Sequence, residues 1–240
     1  MPEIASNHAA PANKLAHLLA ALLGALTIYG LAVYNGWVSY TEGFEMPQIA
    51  ESLVIVAVNL VLFGGLLLGL LYFVSRQGLA SLTLKRGSRL NDLLDGFGLA
   101  GVLLAAQIAF NIVFTRPEQV PPANRAIADA LAADPWLLIV WAGPVVWLQA
   151  ALLEEFTRAF ILSRLWQVWP AEHAKLAAVV AAAALFGLGH VYQGWSGVAV
   201  TAVIGFILGY YYLRRGRVLP MIVSHGLYNT VVLVLSLIHI

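Results

Sequence analysis

Three groups of polar side chains sit inside stretches that are otherwise apolar. The first is Glu154-Glu155 with Arg158, in Ala151-Leu-Leu-Glu-Glu-Phe-Thr-Arg-Ala-Phe160. The second is Phe186 with His190, interleaved with Gly187 and Gly189. The third is His225-Gly-Leu-Tyr-Asn229. A carboxylate that can take a proton from water, imidazoles that can share it, and a carboxamide that can donate to an oxyanion suffice to hydrolyse an amide. No nucleophilic Ser or Cys is then needed, and the chain contains no cysteine at all.

Each group also has a plainer explanation. An ionised side chain at the centre of a membrane helix costs about 3 kcal/mol or more, so Arg158 and one glutamate would pair simply to satisfy each other. Arg158 stands one turn from Glu154 and three residues from Glu155, within reach of either. Two adjacent carboxylates still leave one without a counter-charge, and that one is available as a base. Phe186 and His190 share a helix face, with glycines beside them that admit a neighbouring helix or a substrate backbone. His225 and Asn229, four apart, also share a face. Asn229 either orients His225 or joins it in donating to one oxygen. Alone, each of the last two pairs reads as packing or interhelical hydrogen bonding. Together, polar residues on three separate helices must turn inward and towards one another.

The elements that hold them are membrane helices. Of 240 residues 61% are hydrophobic and 10% charged, where a soluble domain has about 25% charged; mean hydropathy is +0.84. The expected fold is an all-α, polytopic transmembrane bundle in a single domain. Runs of about 20 apolar residues fall at 15–35, 50–74, 94–114, 136–162, 174–192, 197–213 and 219–240. The first is taken as a retained helix. With seven crossings, Lys14, Arg76, Lys85, Arg86, Arg89, Arg164, Lys175, Arg214, Arg215 and Arg217 all fall on one side. That side is expected to be cytoplasmic, with the N-terminus inside. The other side receives Arg116 and Arg125 among mostly acidic residues. Trp37, Trp136, Trp166, Trp169 and Trp195 lie near predicted helix ends, as interfacial anchors do. The long 115–135 connection is expected on the outer side. The net charge of +1 gives no reason to expect a nucleic-acid partner.

Depth along the helices follows from a rise of 1.5 Å per residue. Glu154 lies about 15 Å short of Arg164, and His225 about 12 Å beyond Arg217. His190 lies about 22 Å from Lys175 and must be brought level by tilt.

The order and spacing of these motifs resemble the CAAX protease and bacteriocin-processing (CPBP) family, which includes the type II CAAX prenyl endopeptidases. The resemblance covers roughly residues 94–234 as a protease-like core. One departure is the spacing of Glu155 and Arg158: two residues intervene, Phe156 and Thr157, where the family pattern has three. That turns Arg158 by about 100° around the helix. The resemblance implies a glutamate-dependent intramembrane endopeptidase of the prokaryotic cell (inner) membrane. Glu154 would activate water with His190, His225 and Asn229 would stabilise the oxyanion, and Glu155, Arg158 and Phe186 would support them. It implies no cofactor; a Zn²⁺ site from two His and one or two Glu is the weaker reading, because no His-Glu-x-x-His helix is present. The expected partners are the lipid bilayer and a membrane-associated peptide or protein, cut near the basic face.

Rival readings fit less well. Gly194-Trp195-Ser196-Gly197 imitates a serine-nucleophile motif but occupies an outer turn, where Gly and Ser are ordinary. No Asp lies deep in a predicted helix. A non-catalytic scaffold or immunity protein, or a proton-coupled transporter, would use the same polar residues differently; a transporter would show repeated halves with broken helices. Finally, Leu235-Ser236-Leu237-Ile238-His239-Ile240 is what a common transposase sequencing adapter encodes in this frame. The natural chain is therefore expected to differ after about Val234, with an eighth helix missing here, and His239 is given no role.

Overall fold

The computed structural model describes residues 13–85, 87–114 and 120–238. Among these every regular element is helical. The eight helices are α1 (Lys14–Glu42), α2 (Ile49–Val74), α3 (Arg89–Phe114), α4 (Pro122–Ala133), α5 (Pro135–Val168), α6 (Glu172–Leu188), α7 (Gly194–Arg215) and α8 (Leu219–Ile238). All but α4 and α6 are long and apolar enough to cross a membrane. Helix α6, at 17 residues, is a little shorter than the ~20 a crossing ordinarily needs. Its two ends nevertheless lie at opposite ends of the bundle. His239 lies outside the described residues, as do Arg86 and Arg116.

Local chemistry sets the boundaries. Asp134 caps α5, accepting from the backbone N–H groups of Trp136 (2.9 Å) and Leu137 (3.3 Å), with Pro135 in the first turn. Pro170 follows the end of α5, where a helix cannot readily continue. Within α5, Pro144 lacks an N–H, and the turns from Trp141 to Glu154 are wide and π-type. Gly216, at φ +63, ends α7 in the left-handed conformation favoured by glycine.

The main packing pairs are α6 on α7 and α1 along the second half of α5, both antiparallel, and α3 on α8, which run parallel from the Asp92–Arg217 end. Helix α8 also packs on the first half of α5. Small residues make these approaches close. A Cβ on Gly205 of α7 would come 2.9 Å from Phe186 Cδ1 of α6, and one on Gly226 of α8 would come 2.6 Å from the Trp147 ring of α5. Gly226 directly follows His225, so this contact sets how deeply that imidazole enters the bundle.

The basic loops do gather at one end. Arg217 pairs with Asp92 and donates to the Lys85 carbonyl (2.8 Å), while Lys85 Nζ donates to the Arg214 carbonyl (2.7 Å). Arg164, fully buried, donates to Gln77 and to Ser81 (3.0 Å). At the other end Phe44 stacks on Tyr192 at 5.7 Å, and Trp141 Nε1 donates to Ser52 (3.2 Å).

Two expectations change, and one gains detail. The 115–135 connection contains α4, which packs on α8 and on the turn after α6; its proline-rich start conceals a helix whose apolar face is short. Trp166, expected at an interface, is buried; it stacks on Tyr212 at 5.2 Å and donates to the Lys175 carbonyl (3.3 Å). The fifth segment stops at Leu188 rather than 192, because Gly189 ends it.

Gly226→Val is expected to lower the melting temperature in detergent, with overpacking costing about 1–3 kcal/mol. Gly101, with nothing within 4 Å of a Cβ, is the control: Gly101→Ala should leave the melting temperature unchanged or raise it.

Candidate functional site

Glu155, Arg158 and His225 form the centre of the buried cluster. Arg158 and Glu155 are fully buried and His225 nearly so. Arg158 Nη1 donates to Glu155 Oε1 across i,i+3. His225 Nδ1 lies 2.7 Å from the same oxygen, so its N–H donates to the carboxylate. The shortened spacing between Glu155 and Arg158 therefore keeps the pair intact, because i+3 lies on the same helix face as i+4. The Arg158 guanidinium also lies over the Phe186 ring, 4.4 Å from its centroid, an attraction between the cation and the π face.

Glu154 occupies a different environment. Its side chain is 29% exposed, against 0% for Glu155. His225 Nε2 lies 3.8 Å from Glu154 Oε2. That is too long for a hydrogen bond, and Glu154 Oε2 has no hydrogen-bond partner in the protein. The adjacent carboxylates thus differ: Glu155 Oε1 is held between two donors, and the partly exposed Glu154 makes no hydrogen bond.

His190 reaches the cluster through Phe186. The two rings lie 4.8 Å apart, and Phe186 meets the His225 ring edge-on at 6.1 Å. His190 itself stands just past the end of α6, not within the helix as the four-residue spacing predicts. Its Nδ1 lies 2.9 Å from the Phe186 carbonyl, one of the acceptors that a helix C-terminus leaves unmet. With Nδ1 donating there, Nε2 carries the lone pair. Gly187 and Gly189, expected to admit either a helix or a substrate, admit helices. A Cβ on Gly187 would come 2.6 Å from the Val198 carbonyl oxygen of α7, and one on Gly189 would come 3.2 Å from Ala32 Cβ of α1.

Asn229 follows one turn after His225 on α8 and is half-buried. The group hydrogen-bonded to His225 Nδ1 is Glu155, so of the two roles open to Asn229, orienting His225 through that nitrogen is already filled. Ser196 lies in the first turn of α7, with no hydrogen bond to a histidine among the described residues.

Two residues without a motif also belong to this region. Tyr192 lies between Phe44 and His190, with ring centroids at 5.7 and 5.9 Å. Gln149 lines a small cleft between α2 and α5 with Phe44, Pro47, Ser52, Ile55, Trp141 and Val145, and its side-chain oxygen has no partner. A glutamine in an apolar run was the available signal for Gln149; Tyr192 offered none. Among the described residues no group of three or more His, Asp or Glu is arranged to hold a metal ion.

Residues 135–231 match the family described as type II CAAX prenyl endopeptidase Rce1-like. This stretch runs from the start of α5 to beyond Asn229 and contains every motif residue above. No curated protein and no solved structure matches the chain.

Breaking the central pair should be costly. Arg158→Met is expected to destabilise the protein by about 3–5 kcal/mol, since it leaves Glu155 buried without its counter-charge. The double variant Glu155→Gln, Arg158→Met should recover a large part of that loss. Thermal unfolding of the two single variants and the double variant measures the coupling.

Proposed function

Because residues 135–231 match the Rce1-like protease family, we propose that this integral membrane protein is an intramembrane endopeptidase using Glu154 as the base. The observation that carries the reading is the division between two adjacent carboxylates: Glu155 is engaged by Arg158 and His225, while Glu154 is partly open and without a hydrogen-bond partner.

In the proposed reaction, water bound at Glu154 attacks the scissile carbonyl carbon and gives a proton to the Glu154 carboxylate. His190 Nε2, the ring nitrogen not committed to the Phe186 carbonyl, accepts from that water and orients it. The carbonyl oxygen becomes an oxyanion facing His225 Nε2 and the Asn229 carboxamide. A proton on His225 Nε2 donates to it, and the charge this brings is balanced by Glu155. Such donors, fixed beforehand by the fold, each contribute about 2.7–4 kcal/mol to barrier lowering in well-studied hydrolases. Collapse of the tetrahedral intermediate breaks the C–N bond as Glu154 returns its proton to the departing amine. Arg158 and Phe186 hold the framework and do not touch the reacting atoms.

The site is read as metal-free. The basis of this reading is that no His-Glu-x-x-His helix is present. The substrate class is a membrane-associated peptide or protein. The apolar cleft between α2 and α5 includes Gln149, five residues before Glu154, and is taken as the side from which substrate approaches. We place the N-terminus and basic loops in the cytoplasm on the positive-inside rule, and the protein in a prokaryotic inner membrane.

The direct test uses purified protein and a quenched, membrane-anchored peptide library. Cleavage is expected to vanish in Glu154→Ala and in His190→Ala, and to survive a chelator. Loss on chelation would move the chemistry to a metal. Equal cleavage in wild type and both variants would rule out the assignment and favour a scaffold or transporter.

A further inference from the structure

Helix α1 lies outside the matched family stretch, yet it brings a polar group to the site. Its register against α5 is marked by one close contact. Gly24 faces Phe160, where a Cβ would come 3.2 Å from Cε1. The helices run antiparallel, so five residues forward from Gly24 and five back from Phe160, about 7.5 Å along each, bring Tyr29 level with Glu155. Tyr29 packs in the same apolar cluster as Leu153, Phe160 and Phe186.

Tyr29 is 4% exposed, and its hydroxyl has no hydrogen-bond partner. The charged groups within its electrostatic reach are Arg158, Glu155 and Glu154. Those groups have unmet atoms of matching kind: Glu155 Oε2 as acceptor, Arg158 Nε and Nη2 as donors. A phenol can donate to the first and accept from the others. Packing alone would be served by Phe, and a buried hydroxyl without a partner is costly.

We propose that Tyr29 is a positioning residue of the site, its hydroxyl joined to the Glu155–Arg158 pair either directly or through one water molecule. It rests on the reading of this cluster as catalytic. By engaging the second oxygen of Glu155, Tyr29 fixes the rotation of that carboxylate. The first oxygen then stays aimed at His225 Nδ1, and Nε2 stays aimed at the reacting oxygen. The active site would thus be completed by a helix that the family match does not include.

The test is Tyr29→Phe, which keeps the ring and removes only the hydroxyl. Infrared difference spectra of wild type against Tyr29→Phe should show the phenol C–O band of a hydrogen-bonded tyrosine, with a carboxylate band that shifts alongside it. In the cleavage assay kcat should fall about tenfold, the scale for one hydrogen bond to a charged group, with KM within a factor of two. Tyr34→Phe, on the exposed face of α1, should change none of these. A free-phenol band without any carboxylate change would overturn the proposal, as would an unchanged kcat in Tyr29→Phe where Glu154→Ala abolishes cleavage. If Glu154→Ala itself had no effect, the protease reading would fall, and the infrared result would still decide whether Tyr29 joins the Glu155–Arg158 pair.

Discussion

The hydrogen bonds that join Glu155, Arg158 and His225 constrain everything around them. In an apolar bundle an unpaired arginine or glutamate costs several kcal/mol, so these three must meet, and the helices that carry them must approach closely enough to allow it. Arg158 and Glu155 lie on the same face of α5 and need only the helix itself. His225 comes from α8, and its arrival depends on Gly226 admitting the Trp147 ring. Phe186 comes from α6, under the Arg158 guanidinium, and its own position depends on Gly205 of α7. The close helix contacts and the polar centre are therefore one arrangement viewed at two scales.

Two consequences bear on chemistry. Because Glu155 satisfies the buried charge, Glu154 is spared that task, though the residues are adjacent in sequence. Because α6 ends at Leu188, His190 is freed from the helix and instead caps it, which commits Nδ1 to the Phe186 carbonyl. Both features assign a fixed role to one group and leave its neighbour without a hydrogen bond: the Glu154 carboxylate, and Nε2 of His190. The Rce1-like match over 135–231 covers both residues.

Much of this was legible in the sequence, for definite reasons. Apolar runs near 20 residues mark membrane helices, and charges that cost energy in lipid stand out against them; hence the bundle, the shared basic end and the inward-facing polar residues. Depth counting along single helices was less informative for His190, because a helix that stops early changes the height of the residues beyond its end. The shortened Glu155–Arg158 spacing looked disruptive when counted as rotation, yet i+3 and i+4 both reach a neighbouring side chain. Helix α4 was hidden by its prolines. The bond from His225 to Glu155 rather than to Asn229 depends on how α8 rotates against α5, which no local pattern encodes. Tyr29 carried no signal at all, being one tyrosine in an apolar helix.

The central claim is that two neighbouring carboxylates do different work, one holding the bundle together and the other performing the chemistry. Replacing each in turn with glutamine, and measuring melting temperature and peptide cleavage on the same preparations, separates these roles. Glu154→Gln should lose cleavage at an unchanged melting temperature, whereas Glu155→Gln should lower the melting temperature by several degrees. If Glu154→Gln destabilised the protein as much as Glu155→Gln, or cleaved as well as wild type, the division of labour would be contradicted.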